Sequence, residues 1–118
     1  MDAPPTVLSP PARERSTYPI RLTLLDEDGQ PAQLTGLSWT LSRLDGSIVN
    51  ERNAVPIANL AAPVVVLAGA DLAVDDAEGE NLVTRRVTLV GIYDSDLGTD
   101  LPLTEELYIL IKPLKRVP

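Results

Sequence analysis

The sequence predicts an all-β fold, a small antiparallel β-sandwich preceded by an extended proline-rich arm. In several stretches apolar residues alternate with polar ones, a pattern typical of half-buried strands because successive side chains of a strand point to opposite faces. Turns rich in glycine, proline and aspartate separate these stretches. At 118 residues the chain is long enough for one domain with a single core.

The first 17 residues are expected to form the arm, because they are rich in proline and hold few large apolar side chains. This composition favours extended, polyproline-like backbone. We expect residues 1–17 to reach out from the sandwich and contact a neighbouring subunit; the alternative is a disordered leader. The candidate interaction residues of this arm are Pro4, Pro5, Val7, Leu8, Pro10, Pro11, Arg13 and Arg15.

The sandwich itself is predicted to span residues 18–112. Its first strand alternates from Tyr18, and the turn sequence DEDGQP closes it. The next run, residues 34–44, places Leu37, Trp39 and Leu41 on one face. An Asp45-Gly46 pair then predicts a type I′ hairpin with a return strand that starts at Ile48 and Val49.

The middle of the chain, residues 50–80, is harder to interpret. Residues 64–67 are apolar and mostly β-branched, which indicates a buried strand. Pro56 and Pro63 exclude a long helix between them. The segment ADLAVDD that follows fits either a short helical turn or an acidic loop, and the sequence leaves both open.

A long β-hairpin is predicted for residues 82–112. Its two alternating runs flank the turn sequence DSDLGTD. We expect Arg85 and Arg86 to form an inter-subunit ion pair or to pair across the hairpin with Glu105 or Glu106. The predicted core of the sandwich, with Trp39 interpreted as a core residue rather than a sugar-stacking one, consists of Leu22, Trp39, Leu41, Val87, Leu89, Ile109 and Ile111.

The last six residues, 113–118, are predicted to be a C-terminal tail. Cationic side chains gather where the tail joins the final strand, and we count them as candidate interaction residues for an acidic neighbour. The alternative is that they serve solubility and protection of the sheet edge. These residues are Lys112, Lys115 and Arg116.

Composition argues against most catalytic classes. Histidine and cysteine are both absent, so the commonest general base, the thiolate nucleophile and the usual ligands of zinc, haem and iron–sulfur centres are missing. No glycine-rich phosphate loop occurs. We therefore predict a protein that is not an enzyme and needs no cofactor.

The net charge and the hydropathy of the chain limit the classes of partner that it can bind. The net charge is −7, which gives no electrostatic drive toward nucleic acid. No apolar run approaches the roughly 20 residues that a transmembrane helix needs, and the N-terminus has no signal-peptide core. The sequence predicts no nucleic-acid or membrane partner and synthesis in the cytoplasm.

Clustered carboxylates are the remaining candidates for a site. They lie at residues 26–28, at residues 75–78 and at residues 94–100. Calcium prefers several oxygen ligands at one point, and the weak candidates for such a metal site are Asp76, Asp94 and Asp96. None of these clusters has EF-hand spacing, and because aspartate and glycine also make turns, turn formation is the favoured interpretation.

The segment LLDEDGQPAQLTGLSWTLSRLDGSIV, residues 24–49, resembles a pattern in tailed-bacteriophage virion modules. In those modules a strand ends in D-x-D-G-x-P and is followed by an alternating strand and a DG hairpin. The later ADLAVDD and LGTDLPLTEELYILI resemble the final hairpin of the same modules. This is similar to the N-terminal immunoglobulin (Ig)-like domain of upper baseplate proteins and to related head, neck and tail proteins, and the likeness spans residues 18–112.

The resemblance implies an Ig-like sandwich and a structural or accessory role in a virion, on the capsid surface, at the neck or in the tail. We expect copies of the chain, as a homo-oligomer or within a larger assembly, to pack on one another and on other virion proteins. The alternative is a carbohydrate- or receptor-binding module with the acidic loops 75–80 and 94–100 as its rim. Sugar sites usually need aromatic stacking surfaces, and only 3% of the residues are aromatic.

Overall fold

The computed structural model describes residues 6–8, 11–74 and 82–113. Their regular elements are strands and one short 3₁₀ helix at Gly69–Leu72. This confirms the predicted all-β class. The strands are β1 Thr6–Val7, β2 Ala12–Arg13, β3 Thr17–Arg21, β4 Gln33–Ser42, β5 Val55–Pro56, β6 Val64–Ala68, β7 Val83–Ser95 and β8 Gly98–Lys112. No helix among the described residues is long and apolar enough to cross a membrane.

The strands form one large sheet and one small sheet. The six-stranded sheet has the order β1-β8-β7-β4-β5, with β2 pairing farther along β8, and the two-stranded sheet pairs β3 with β6. β1 and β2 run parallel to β8, whereas the other pairs are antiparallel. The large sheet is therefore mixed, because the leading segment joins an otherwise antiparallel sheet as parallel strands.

The predicted long hairpin is present as β7 and β8. Val83, Val87 and Leu89 are buried on one face of β7, while Val90 and Ile92 are exposed on the other. Across the hairpin Val87 faces Leu107 and Arg85 faces Ile109. The alternation in the sequence thus corresponds to the two faces of the sheet.

The core fills the space between the two sheets. Leu41, Val87, Leu89, Ile109 and Ile111 have no exposed surface, and Trp39 is 5% exposed. Leu22 is only partly buried and packs against this cluster from one side. The small sheet contributes its own buried residues, namely Ile20, Val65 and Leu67.

A close approach between β4 and β7 requires a glycine. A Cβ added to Gly91 would lie 2.6 Å from the Gly36 carbonyl oxygen and 2.9 Å from Leu37 Cδ1. Contacts under about 3.0 Å do not occur for real Cβ atoms. This site, next to a register shift between Leu34 and Gly36, fits only a residue without a side chain.

The Asp45-Gly46 turn forms, but it is not the predicted type I′ turn, because Gly46 has a positive φ of 94° and Asp45 does not. The predicted return strand is largely absent. The turn is closed by the Arg43 amide, which donates to the Ser47 carbonyl at 2.9 Å. Only a single bridge joins Ser42 to Ile48. The chain leaves the ladder after Val49 because Asn50 and Glu51 both adopt left-handed backbone, with φ of 52° and 57°.

The described part of the leading segment lies along the chain's own large sheet. Thr6 and Val7 pair with Leu107 and Tyr108, and the Leu8 amide donates to the Tyr108 carbonyl at 2.8 Å. Farther on, Ala12 is 2% exposed and pairs with Ile111. At these positions the segment does not reach out from the sandwich, because unpaired backbone groups at the edge of β8 bind it.

Candidate interaction surface

The outer face of the large sheet carries an uncharged apolar strip. Val90 is 53% and Ile92 37% exposed, and both project from the same face of β7. Across the ladders Ile92 faces Gly36 on one side and Pro102 on the other. We call Val90, Ile92 and Pro102 the outer strip. It is a continuous apolar surface in a chain of which 23% is charged.

Gly36 leaves space for the Ile92 side chain of this strip. A Cβ on Gly36 would lie 3.3 Å from Ile92 Cγ1, so the isoleucine side chain leans over the glycine. Val90 is bordered by Ser38 and Thr104, which are short and neutral. Hence no long charged side chain stands directly across the strands from these two residues.

A second apolar surface is a cleft of about 320 Å³ between β8 and the segment that follows β3. It is lined mainly by aliphatic side chains, including the half-buried Leu8 of the leading segment. Arg21 and Glu105 supply its two charges. The lining residues, which we call the leucine cleft, are Leu8, Ile20, Arg21, Leu22, Thr23, Leu24, Leu25, Leu89, Glu105 and Leu107.

An acidic hollow lies at one end of the sandwich. The turn at residues 26–28 and the end of β7, residues 94–96, line it together. Glu27 accepts hydrogen bonds from the Tyr93 hydroxyl at 3.1 Å and from Ser95 Oγ at 2.9 Å. Burial of the ring, followed by the adjacent Glu27 carboxylate, raises the pKa of Tyr93.

Two of the candidate metal residues, Asp94 and Asp96, line this hollow, but they do not belong to its close group of carboxylates. Within the described part of the chain, the carboxylates close enough for a shared ion are those of Asp26, Glu27 and Asp28. Asp94 instead accepts the Asp100 amide at 3.0 Å. Asp96 is exposed, and Asp76 lies outside the described residues. Asp26 is likewise bound to its own turn, through the amides of Asp28 and Gln30.

The candidate interaction residues are dispersed. Leu8 packs against the core and lines the leucine cleft, whereas Pro11, Arg13, Arg15 and Lys112 are exposed. Val7 pairs with Tyr108 within β1. Pro4, Pro5, Pro10, Lys115 and Arg116 lie outside the described residues.

Arg85 and Arg86 behave differently from the expectation. Arg85 is 2% exposed and donates to the carbonyls of Thr84 and Ala73. Arg86 donates to the Leu44 carbonyl at 3.1 Å and lies over the Tyr108 ring. The register places Glu105 opposite Leu89 and Glu106 opposite Thr88, so neither arginine has a glutamate directly across the hairpin.

The sequence interpretation missed a buried polar cluster. Asp71, with no exposed surface, accepts hydrogen bonds from Arg52 Nε and Asn50 Nδ2, each at 2.8 Å, and from the Ala68 amide at 3.1 Å. Burial alone would raise the pKa of Asp71, but the hydrogen bonds from these donors outweigh it and lower the pKa. The cluster fixes residues 50–52 to the 3₁₀ helix after β6.

The outer strip had a signal that the interpretation did not use. Leu89, Val90 and Ile92 place apolar residues on both faces of β7, so the alternation fails at this end of the strand. A strand with one solvated face normally keeps polar residues there. The Asp71 cluster has no such signal, because it depends on how the 50–54 loop folds back.

Comparison with known proteins adds no family assignment. No protein-family model matches the chain, and no curated protein or solved structure is significantly similar to it.

Proposed function

We propose that this chain is a non-catalytic Ig-like structural or accessory protein of a bacteriophage virion, positioned on the capsid surface, at the neck or in the tail. It acts by binding copies of itself and other virion proteins. Its place of action is the virion, after synthesis in the host cytoplasm. The resemblance of residues 18–112 to tailed-phage modules supplies the virion part of the proposal.

The outer strip is the observation that carries the association part. Exposed apolar surface on a folded domain marks an interaction site when it is contiguous rather than scattered. Val90, Ile92 and Pro102 meet this condition because they are cross-strand or same-face neighbours. Covering such a surface removes apolar area from water, which favours association.

The proposed function requires many copies of a contact that is weak on its own. The strip is small relative to a standard interface of about 1,600 Å², so one such contact binds weakly. Repetition of the contact in an assembly raises the overall affinity without any new chemistry. The net charge of −7 disfavours random association between copies and so favours contacts at uncharged surfaces such as this one.

The test is incorporation into particles. Tailed particles purified from cells that encode the chain are analysed with wild-type protein and with a V90K/I92K variant, both carrying the same tag. We expect wild type in the particles and the variant at least about 10-fold depleted, because charges would replace two exposed aliphatic residues that the proposed contact covers.

A matched control is Ala58→Lys, an exposed position in the loop after β5 that lies outside the outer strip. This variant should enter particles like wild type. Equal incorporation of V90K/I92K would contradict the role of the strip, whereas absence of the wild-type chain from every particle fraction would contradict the virion role itself.

The acidic hollow favours a second candidate, carbohydrate or receptor binding by loops. Its carboxylates at residues 26–28 and 94–96 line one concave surface. Glycan-array binding that requires calcium and is lost with Asp94→Ala or Asp76→Ala would support this candidate over assembly. Binding that is independent of calcium and of both residues would oppose it.

A further inference from the structure

The tip of the β7–β8 hairpin exposes a leucine that the sandwich does not use. Leu97 is 72% exposed, more than any other large hydrophobic residue among those described. It lies between Asp96 and Gly98, in the two-residue turn that joins the two longest strands. A leucine in this position adds nothing to the core.

The leucine cleft is a concave counterpart on the same molecule. Its volume of about 320 Å³ falls at the lower end of the range of about 300–1,000 Å³ typical of binding pockets. Most of its lining residues are aliphatic, and the polar ones are Arg21, Thr23 and Glu105. An inserted aliphatic side chain can therefore pack against the leucine and isoleucine side chains of the cleft.

Leu97 does not occupy the cleft of its own molecule, since it is 72% exposed. The cleft-lining Leu89 and Glu105 face each other in the ladder, eight residues before and after the tip. Eight residues of antiparallel strand span about 27 Å. Because the intervening ladder is continuous apart from one irregularity near Tyr93 and Ser95, the tip stays far from this end of the cleft.

We propose that Leu97 of one copy inserts into the leucine cleft of a second copy. This inference rests on the proposed function in that it names one self-contact within the assembly. The contact is heterologous, since it joins two different surfaces, and it propagates from copy to copy into a closed ring or an open row.

Charge selects the orientation of the inserted tip. Asp96 precedes Leu97 and is exposed, while the cleft presents Arg21 from the end of β3 and Glu105 from β8. One orientation places Asp96 next to Arg21 and the neutral Thr99 next to Glu105. The reverse orientation sets two carboxylates together, which is unfavourable.

The experiment measures self-association by sedimentation velocity of the full chain, from about 10 µM to about 1 mM, the range suited to weak contacts. We expect the sedimentation coefficient of wild type to rise with concentration. Leu97→Ser should weaken self-association by about 10-fold or more, because it removes the inserted side chain. Leu44→Ser is the matched control, since Leu44 is 54% exposed but belongs to neither surface.

A mixture provides the sharper readout. Leu25 lines the cleft and is 52% exposed, so Leu25→Asp blocks the cleft and leaves the core intact. The L97S variant retains a functional cleft but no inserting leucine, whereas the L25D variant retains Leu97 but has a blocked cleft. Each variant alone should lack the contact between Leu97 and the cleft, and the two together should regain it as a 1:1 dimer.

A charge exchange tests the orientation. Arg21→Asp should weaken self-association by about 2- to 5-fold, and adding Asp96→Arg to the same chain should restore it, as expected for an exposed ion pair. Wild type that stays monomeric to about 1 mM, or L97S that associates like wild type, would overturn the proposal. If L97S still enters particles normally, the proposed function stands and only this self-contact fails.

Discussion

Arg52 Nε lies 2.8 Å from Asp71 Oδ1 and joins the loop after the Asp45-Gly46 turn to the 3₁₀ helix that follows β6. The side chain of Asp71 is 1% exposed and that of Arg52 is 41% exposed. The guanidinium also lies 5.8 Å from the centre of the Trp39 ring, within the range of a cation–π contact. Arg52 thus connects its own loop to Trp39 of the large sheet and, through Asp71, to the 3₁₀ helix that follows the small sheet's β6.

Removal of the carboxylate should destabilise the fold. Asp71→Ala leaves Arg52, Asn50 and the Ala68 amide without their shared acceptor. We expect a loss of about 2–3 kcal/mol in the free energy of unfolding, below the largest values for buried pairs because Arg52 still contacts water. Urea denaturation measures it, with the exposed Asp96→Ala as control. An unchanged midpoint for D71A would contradict the structural role.

The same pair predicts an acid-sensitive step in stability. The pKa of Asp71 is lowered below its ordinary value of 3.8 in the folded chain. Its contribution is therefore complete above the pKa of the unfolded chain and is lost as pH falls through the lower folded pKa. The stability difference between wild type and D71A should be constant from pH 7 to pH 5 and narrow below about pH 4. A difference that widens on acidification would refute this assignment.

Two glycines should respond differently to the same change. Gly91→Ala places a methyl group 2.6 Å from a backbone oxygen that cannot move freely, so we expect a loss of about 1–3 kcal/mol. In Gly36→Ala the new methyl group lies 3.3 Å from the Ile92 side chain and contacts nothing else closely. The Ile92 side chain is 37% exposed and can turn away. Its effect should stay within about 0.5 kcal/mol. Thermal melting of both variants compares them, and equal losses would count against the register.

The core should tolerate little loss of volume at its centre. Leu41 has no exposed surface, so Leu41→Ala should lower the free energy of unfolding by about 2–5 kcal/mol. Leu44 lies on the same segment but is 54% exposed. Leu44→Ala should therefore lower the free energy of unfolding by less than about 0.5 kcal/mol. Chemical denaturation of the pair measures this contrast. Similar midpoints for the two variants would mean that β4 does not present Leu41 to the interior.

Sequence reasoning predicted the elements whose side chains alternate. β7 and β8 follow from residues such as Val83, Val87, Ile109 and Ile111, because period-two spacing states which face is buried. β6 was expected from its β-branched residues. The strands of the leading segment were not expected, since two-residue pairings such as Thr6–Val7 depend on an available edge of β8 and leave no periodic pattern.

Contacts between segments that are distant in the sequence could not be predicted from local alternation. The position of the Asp45-Gly46 turn was predicted correctly, but its type was not, and its return strand ends early because Asn50 and Glu51 turn the chain toward Asp71. The leucine cleft arises where β8, the leading segment and residues 20–25 meet. Alternation assigns Leu22 and Leu24 to a buried face, yet it gives no information on how completely the opposing sheet covers them.

The copy number of the chain in purified tailed particles tests the central claim most directly. Quantitative mass spectrometry against a labelled standard of this chain measures it, with a known multicopy shell protein as internal reference. Association through repeated contacts predicts many copies per particle, in a fixed ratio to the reference protein. A chain that stays outside the particles, and is monomeric in solution at every concentration, would contradict the account.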